Sequence, residues 1–85
     1  MTTYEVRFTR SAQKELKKLG KDGQLRVLKA IKALSKNPKK GDVRPMVGST
    51  AWRLRVGDYR IIYDINNKEI VILILKVGHR KDVYR

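Results

Sequence analysis

Arg53, Arg55 and Arg60 lie in the segment Trp52-Arg-Leu-Arg-Val56, Gly57-Asp58, Tyr59-Arg-Ile-Ile-Tyr-Asp-Ile65, which alternates apolar and polar residues on both sides of a compact turn. Alternation interrupted by two turn residues predicts a β-hairpin. In a two-residue turn Val56 faces Tyr59, Arg55 faces Arg60, Leu54 faces Ile61 and Trp52 faces Tyr63. One face of this hairpin is then apolar and must be covered. The other presents Arg53, Arg55 and Arg60 together. Like charges placed directly opposite each other destabilise a strand pair by roughly 0.2–1 kcal/mol. Three clustered guanidinium groups therefore read as an anion site, and phosphate suits the planar arginine fork. The alternative reading is a solvent-facing strand whose arginines discourage edge pairing.

The rest of the titratable inventory limits what such a site can do. Glu5, Glu15, Asp22, Asp42, Asp58, Asp64, Glu69 and Asp82 are scattered singly, so no two-metal nuclease site is expected and no metal ligands are assigned. His79 is the only histidine, and the chain has no cysteine. A Ser-His-Asp or Cys-His arrangement has no support, and no cofactor is implied. Phosphoryl chemistry here would be metal-free and would depend on electrostatic stabilisation by arginine. The absence of cysteine also fits a reducing compartment.

The hairpin needs elements to hold it. Tyr4-Glu-Val-Arg-Phe8 alternates, which predicts a strand with Tyr4, Val6 and Phe8 inward. Thr9 follows as a helix N-cap, Ala12, Leu16 and Leu19 recur at helical spacing, and Gly20 supplies the stop. After Lys21-Asp22-Gly23 a second helix is predicted, with Leu25, Leu28, Ile31 and Leu34 on its inner face and Asn37-Pro38 as its end. Asn66-Asn67 marks another turn, and Glu69 to Val77 carries apolar residues of both parities, as a strand covered on both faces does. The expected fold is α+β over a single domain, residues 1–85. It comprises an N-terminal strand, an antiparallel helical hairpin and a three-stranded antiparallel meander (β-α-α-β-β-β). Trp52 reads as core.

Charge names the class of partner. Lysine and arginine total 21 against 8 acids, a formal charge of +13 on 85 residues. Self-repulsion of that size opposes folding, and solubility alone asks for a net charge of only about 2–8. A polyanion such as RNA is the expected ligand. The helices contribute Lys14, Lys17, Lys18, Lys21, Arg26, Lys29, Lys32 and Lys36, and Lys39, Lys40 and Arg44 continue the run. Glu15 and Asp22 are the only acids between Arg10 and Gly41. Any one of these lysines is an ordinary solvated residue; collectively they suggest an RNA-contacting face, with Lys14, Lys17, Lys18 and Lys29 at its centre. Met1-Thr-Thr-Tyr-Glu5 has neither the charged start nor the apolar run of a signal peptide, and Ile70–Leu75 is far short of the roughly 20 apolar residues that span a bilayer. A cytoplasmic location without a membrane partner is expected.

The closing segment, Lys76-Val-Gly-His-Arg-Lys-Asp-Val-Tyr-Arg85, is the most specific part of the chain. Together with Leu54-Arg-Val-Gly-Asp-Tyr-Arg-Ile-Ile-Tyr63 and the helix opening Phe8-Thr-Arg-Ser-Ala-Gln-Lys-Glu-Leu-Lys-Lys-Leu19, it resembles the RelE/ParE superfamily of toxins from type II toxin–antitoxin systems. The likeness is greater to the RelE branch, whose members cleave messenger RNA in the ribosomal A site: a 2′-hydroxyl attacks the adjacent phosphate, leaving a 2′,3′-cyclic phosphate and a 5′-hydroxyl.

The resemblance implies a RelE-like fold, a metal-independent endoribonuclease, ribosome and messenger RNA as partners, and a cognate antitoxin in a hetero-oligomer. It places Arg53 and Arg55 where the family carries cationic strand residues, and Arg60 on the arginine of the Gly-x-Tyr-Arg motif. Arg80 falls on the arginine after the last strand and Tyr84 on the C-terminal tyrosine. Arg60 and Arg80 would neutralise the phosphorane, and Arg53 and Arg55 would hold flanking phosphates. Tyr84 would stack on a base, orient the 2′-hydroxyl, or simply pack. His79 has two readings, an acid–base role or, with Lys81, an RNA contact. Two other functions share this fold: a ParE-like inhibitor of DNA gyrase that cuts nothing, and a non-catalytic RNA-binding repressor.

Overall fold

The structure, a computed structural model, describes residues 3–79. Val6 and Phe8 turn inward from β1, Glu5–Phe8, and pack on the core as the alternation predicts. Thr9 caps helix α1, Arg10–Lys17, its hydroxyl accepting from the Ala12 amide at 3.1 Å and satisfying one of the orphan donors of the first turn. Gly20, at φ +77°, turns the chain out of α1, a left-handed geometry that costs glycine little.

Helix α2 begins at that same glycine and runs Gly20–Lys36. Lys21-Asp22-Gly23, expected to precede the helix, is instead its first turn, because Gly20 alone completes the bend. Gly23 is there for closeness: a Cβ at that position would lie 2.8 Å from the Tyr59 hydroxyl oxygen.

The inner face of α2 also differs from expectation. Gly23, Val27, Ile31 and Leu34 are buried, whereas Leu25 and Leu28 are 60% and 42% exposed. The predicted stripe of Leu25, Leu28, Ile31 and Leu34 has a strict three-residue spacing. At about 100° per residue such a stripe drifts, so that its first and last members point about 180° apart. Only Ile31 and Leu34 belong to both stripes. Val27, four residues before Ile31, supplies the contact that Leu25 and Leu28 do not.

The sheet follows in the order β1-β5-β4-β3-β2, with β2 Val43–Pro45, β3 Trp52–Val56, β4 Tyr59–Asn66 and β5 Val71–His79. The expected meander is β3-β4-β5, antiparallel throughout, and β1 pairs parallel with β5. Strand β2 adds an edge that the sequence reading lacks. Its three residues carry no alternation, and Pro45 is tolerated because an edge strand needs no donor on its outer side. Asn66 shapes the last turn, its side-chain oxygen accepting from the Lys68 and Glu69 amides at 3.0 Å each.

Val27, Ile31 and Leu34 of α2 and Ala12 of α1 pack on Leu54, Ile61, Tyr63, Ile72, Ile74 and Val77, while Trp52 lies half-buried against this core. A smaller cluster, Ala51 and Ile62 with Met46 and Leu75, covers part of the sheet's other face. Strand β5 continues past β1, and side chains take over its free edge. The Thr9 hydroxyl donates to the Leu75 carbonyl at 3.3 Å, and the Glu15 carboxylate accepts from the Val77 amide and from Lys76 Nζ, each at 3.1 Å.

Substitutions in the core distinguish the two stripes of α2. Ile31→Ala should cost about 2–5 kcal/mol in chemical denaturation, whereas Leu25→Ala should stay within about 0.5 kcal/mol of the parent. The buried Tyr63 hydroxyl donates to the Pro38 carbonyl at 2.5 Å, and burial pushes its pKa from 10.0 up to about 12. A raised folded-state value means that this tyrosine's contribution is complete below pH 10 and is lost as pH rises toward 12. Tyr63→Phe should flatten that alkaline fall in stability, measured by thermal denaturation across the same pH range.

Candidate nucleic-acid interface

The hairpin of β3 and β4 has the register the two-residue turn demands. Val56 faces Tyr59, Arg55 faces Arg60, Leu54 faces Ile61 and Trp52 faces Tyr63. Gly57 sits at φ +58°, so the tight turn falls on a residue without a Cβ. Directly opposed residues project to the same side of a sheet. Leu54, Ile61 and Tyr63 enter the helix-covered core, and Arg53, Arg55 and Arg60 take the opposite side.

Strand β2 brings a fourth arginine to that side, because Arg44 pairs with Arg53. Asp42, just ahead of β2, brings a carboxylate. Arg44, Arg53, Arg55, Arg60 and Asp42 together line a small depression of about 130 Å³. Asp42 pairs with Arg55 Nε at 2.5 Å and more loosely with Arg44 Nε at 3.9 Å. The Arg60 side chain is held from below. The residue is 8% exposed, and its Nη1 donates to the Gly57 and Tyr59 carbonyls at 2.8 and 2.9 Å. A guanidinium fixed in this way can meet a developing negative charge without first reorganising.

The sequence reading placed Arg53, Arg55 and Arg60 together, and the structure does the same. It did not place Arg44 or Asp42 there, because the membership of both depends on the unpredicted strand β2. The one available signal was the need for something to cover the outer edge of β3. Lys14, Lys17, Lys18 and Lys29 are exposed on the helices, across the sheet from the arginines. His79 pairs with Tyr59 in register, and the two rings meet edge to face with centroids 6.2 Å apart. Tyr59 packs on the helix-side core, so His79 shares that side, while its neighbour Gly78 is the residue opposite Arg60. Arg80, Lys81 and Tyr84 lie outside the described residues. Among the described residues no three His, Cys, Asp or Glu side chains gather as a metal site.

An arginine-lined depression on a lysine-rich body gathers positive charge in one place on the sheet. Residues 6–84 match the family described as the ParE toxin of type II toxin–antitoxin systems. The chain is 35% identical to Toxin RelG of Mycobacterium tuberculosis, over 96% of its own length and 97% of the relative's. Among solved structures it resembles a chain of the RelBE2 toxin–antitoxin complex of M. tuberculosis, with a TM-score of 0.83, 32% identity, and 92% and 99% of the two chains covered. It also resembles a chain of the archaeal RelE–RelB complex of Pyrococcus horikoshii, with a TM-score of 0.79, 36% identity, and 98% and 100% covered. Fold and full-length similarity agree: this chain belongs to the RelE/ParE superfamily, as a RelE-like toxin of a type II toxin–antitoxin system.

Proposed function

We propose that this toxin is a ribosome-dependent endoribonuclease that cuts messenger RNA in the A site and so inhibits translation in the cytoplasm. The observation that carries the reading is the pairing of Arg55 with Arg60 across the hairpin, with Arg53 and Arg44 beside them, around a depression of about 130 Å³. In this reading the RNA 2′-hydroxyl attacks the neighbouring phosphate, and a cyclic phosphate and a 5′-hydroxyl result. Arg60 and Arg80 neutralise the phosphorane, while Arg53 and Arg55 hold flanking phosphates. Tyr84 stacks on a base or orients the attacking hydroxyl, and His79 and Lys81 contact RNA. Arginine stays protonated, so the cluster contributes by charge alone, without a metal, and the ribosome supplies the alignment of hydroxyl and phosphate.

Lys14, Lys17, Lys18 and Lys29 dock on ribosomal RNA from the helix side. The relatives solved as toxin–antitoxin complexes support a cognate antitoxin in a hetero-oligomer with the toxin; in this reading it covers the arginine face. The family's description as a ParE toxin supports a second reading, inhibition of DNA gyrase without nuclease activity.

Arg60→Ala and Arg80→Ala should each slow messenger cleavage on ribosomes by roughly 10²-fold, as loss of a single oxyanion donor does. Ribosome affinity should change far less. Cleavage at the wild-type rate by both variants refutes the assigned site. A toxic wild type that cuts no RNA yet blocks supercoiling by gyrase establishes the second reading.

Gln at Lys14, Lys17, Lys18 and Lys29 together should weaken ribosome binding and lower its salt dependence, by a slope of up to about 0.7–0.9 for each phosphate that is no longer neutralised. Unchanged binding across a salt titration excludes the helix side as the docking surface.

A further inference from the structure

We infer that Asp42 is a positioning residue that occupies the arginine cluster as an internal stand-in for phosphate and holds Arg55 in place until RNA arrives; this rests on the nuclease reading above. Asp42 is attached to Arg55 twice. Its backbone carbonyl accepts from the Arg55 amide at 3.0 Å, and its carboxylate accepts from Arg55 Nε at 2.5 Å. The first bond extends the β2–β3 ladder by one residue, so the backbone that carries the carboxylate is fixed by the strand whose arginine it holds. Gly41, at φ +92°, turns the chain immediately ahead of it, a geometry that favours glycine.

Among the described residues, Asp42 is also the carboxylate that lines the depression, beside four arginines. Like charges facing each other in Arg55 and Arg60 repel, and an acid beside them offsets that repulsion. It does so through Nε, one of the five N–H donors of the guanidinium; the other four belong to the Nη groups and suit a phosphate. Among the described residues, Asp42 is the side chain that the Arg55 guanidinium engages.

Two opposite consequences follow from one carboxylate. A negative charge inside the pocket competes with phosphate, so it weakens ground-state binding. The same charge orients Arg55, so it speeds a step that depends on orientation. Removing it should therefore tighten binding and slow cleavage. A residue that merely stabilises the fold would not separate the two effects.

The test measures affinity for a 2′-deoxy oligonucleotide, which carries phosphates but no attacking hydroxyl, together with single-turnover cleavage of ribosome-bound messenger. Asp42→Asn keeps the size of the side chain and removes the charge; Asp42→Ala removes the acceptor as well. Both should tighten oligonucleotide binding by roughly two- to fivefold, the range of an exposed ion pair. Asp42→Ala should slow cleavage by roughly tenfold or more, as misplacement of an aligned group does. Combined with Arg55→Ala it should be no slower than Arg55→Ala alone, since both changes act through one guanidinium. In nitrogen-15 spectra, the Arg55 Nε–H signal should be protected from exchange in the parent and lose that protection in Asp42→Ala. Unchanged or weaker oligonucleotide binding in both variants overturns the inference, as does full-rate cleavage by Asp42→Ala. A wild type that cuts no RNA removes the nuclease reading instead, and the affinity and Nε–H measurements then decide for or against Asp42 on their own.

Discussion

The pairing register of the β3–β4 hairpin is the constraint on which the other features depend. Side chains alternate along a strand with a period of two, so a slip of one residue would exchange the faces. Arg53 and Arg55 would then enter the space against α2, and Leu54 would meet solvent. The register is held at both ends. Gly57-Asp58 closes the turn in two residues, and the fully buried Ile61 and Tyr63 fill the core opposite Leu54 and Trp52. Tyr63 secures it further by donating across the molecule to the Pro38 carbonyl just past the end of α2. Core packing thus sets where the arginines stand, and a hydrophobic interaction fixes an electrostatic site.

The charge of this small domain is divided between its layers. Lysines predominate on the exposed helix surfaces, while Arg44, Arg53, Arg55 and Arg60 gather on the far side of the sheet, and the two populations suit different tasks. A lysine ammonium is a mobile, strongly hydrated point charge, adequate for attraction to any polyanion. The guanidinium is planar and can be pinned, and the structure pins it. Arg60 is held by two turn carbonyls and Arg55 by Asp42. Side chains with fixed geometry are thus found in the arginine layer, and exposed ammonium groups in the lysine layer.

Most of this was legible in the sequence where a local rule governs the outcome. Thr9 as cap, Gly57-Asp58 as turn, and the facing of Arg55 with Arg60 all follow from rules that act over a few residues. The misses arise where distant parts of the chain decide. The inner face of α2 is a separate case: Leu25 and Leu28 have the composition of a core stripe, but their three-residue spacing drifts round the helix and Val27 takes the inner face instead. Strand β2 exists because β3 offers it an edge, and nothing within Val43-Arg44-Pro45 announces this. Since Arg44 and Asp42 enter the site only through that pairing, a further cation and a carboxylate of the site were hidden for the same reason. The placement of His79 relative to Arg60 was likewise a question of strand parity, which needs the β4–β5 register and its irregularity at Ile62 and Tyr63.

The separation of lysines from arginines by the sheet has a consequence for reach. The described body measures 32 × 28 × 24 Å, and the two cation sets lie on opposite sides of it. A rigid globular ligand placed on one side leaves the other exposed. A single ligand that touches both must pass around an edge of the sheet, a path of roughly 40 Å, or about 12 residues of extended polypeptide. Simultaneous coverage therefore selects for length and pliancy rather than for bulk. A nucleic acid strand threaded past one edge and a belt-like peptide satisfy that requirement equally, and a compact domain of the toxin's own size does not.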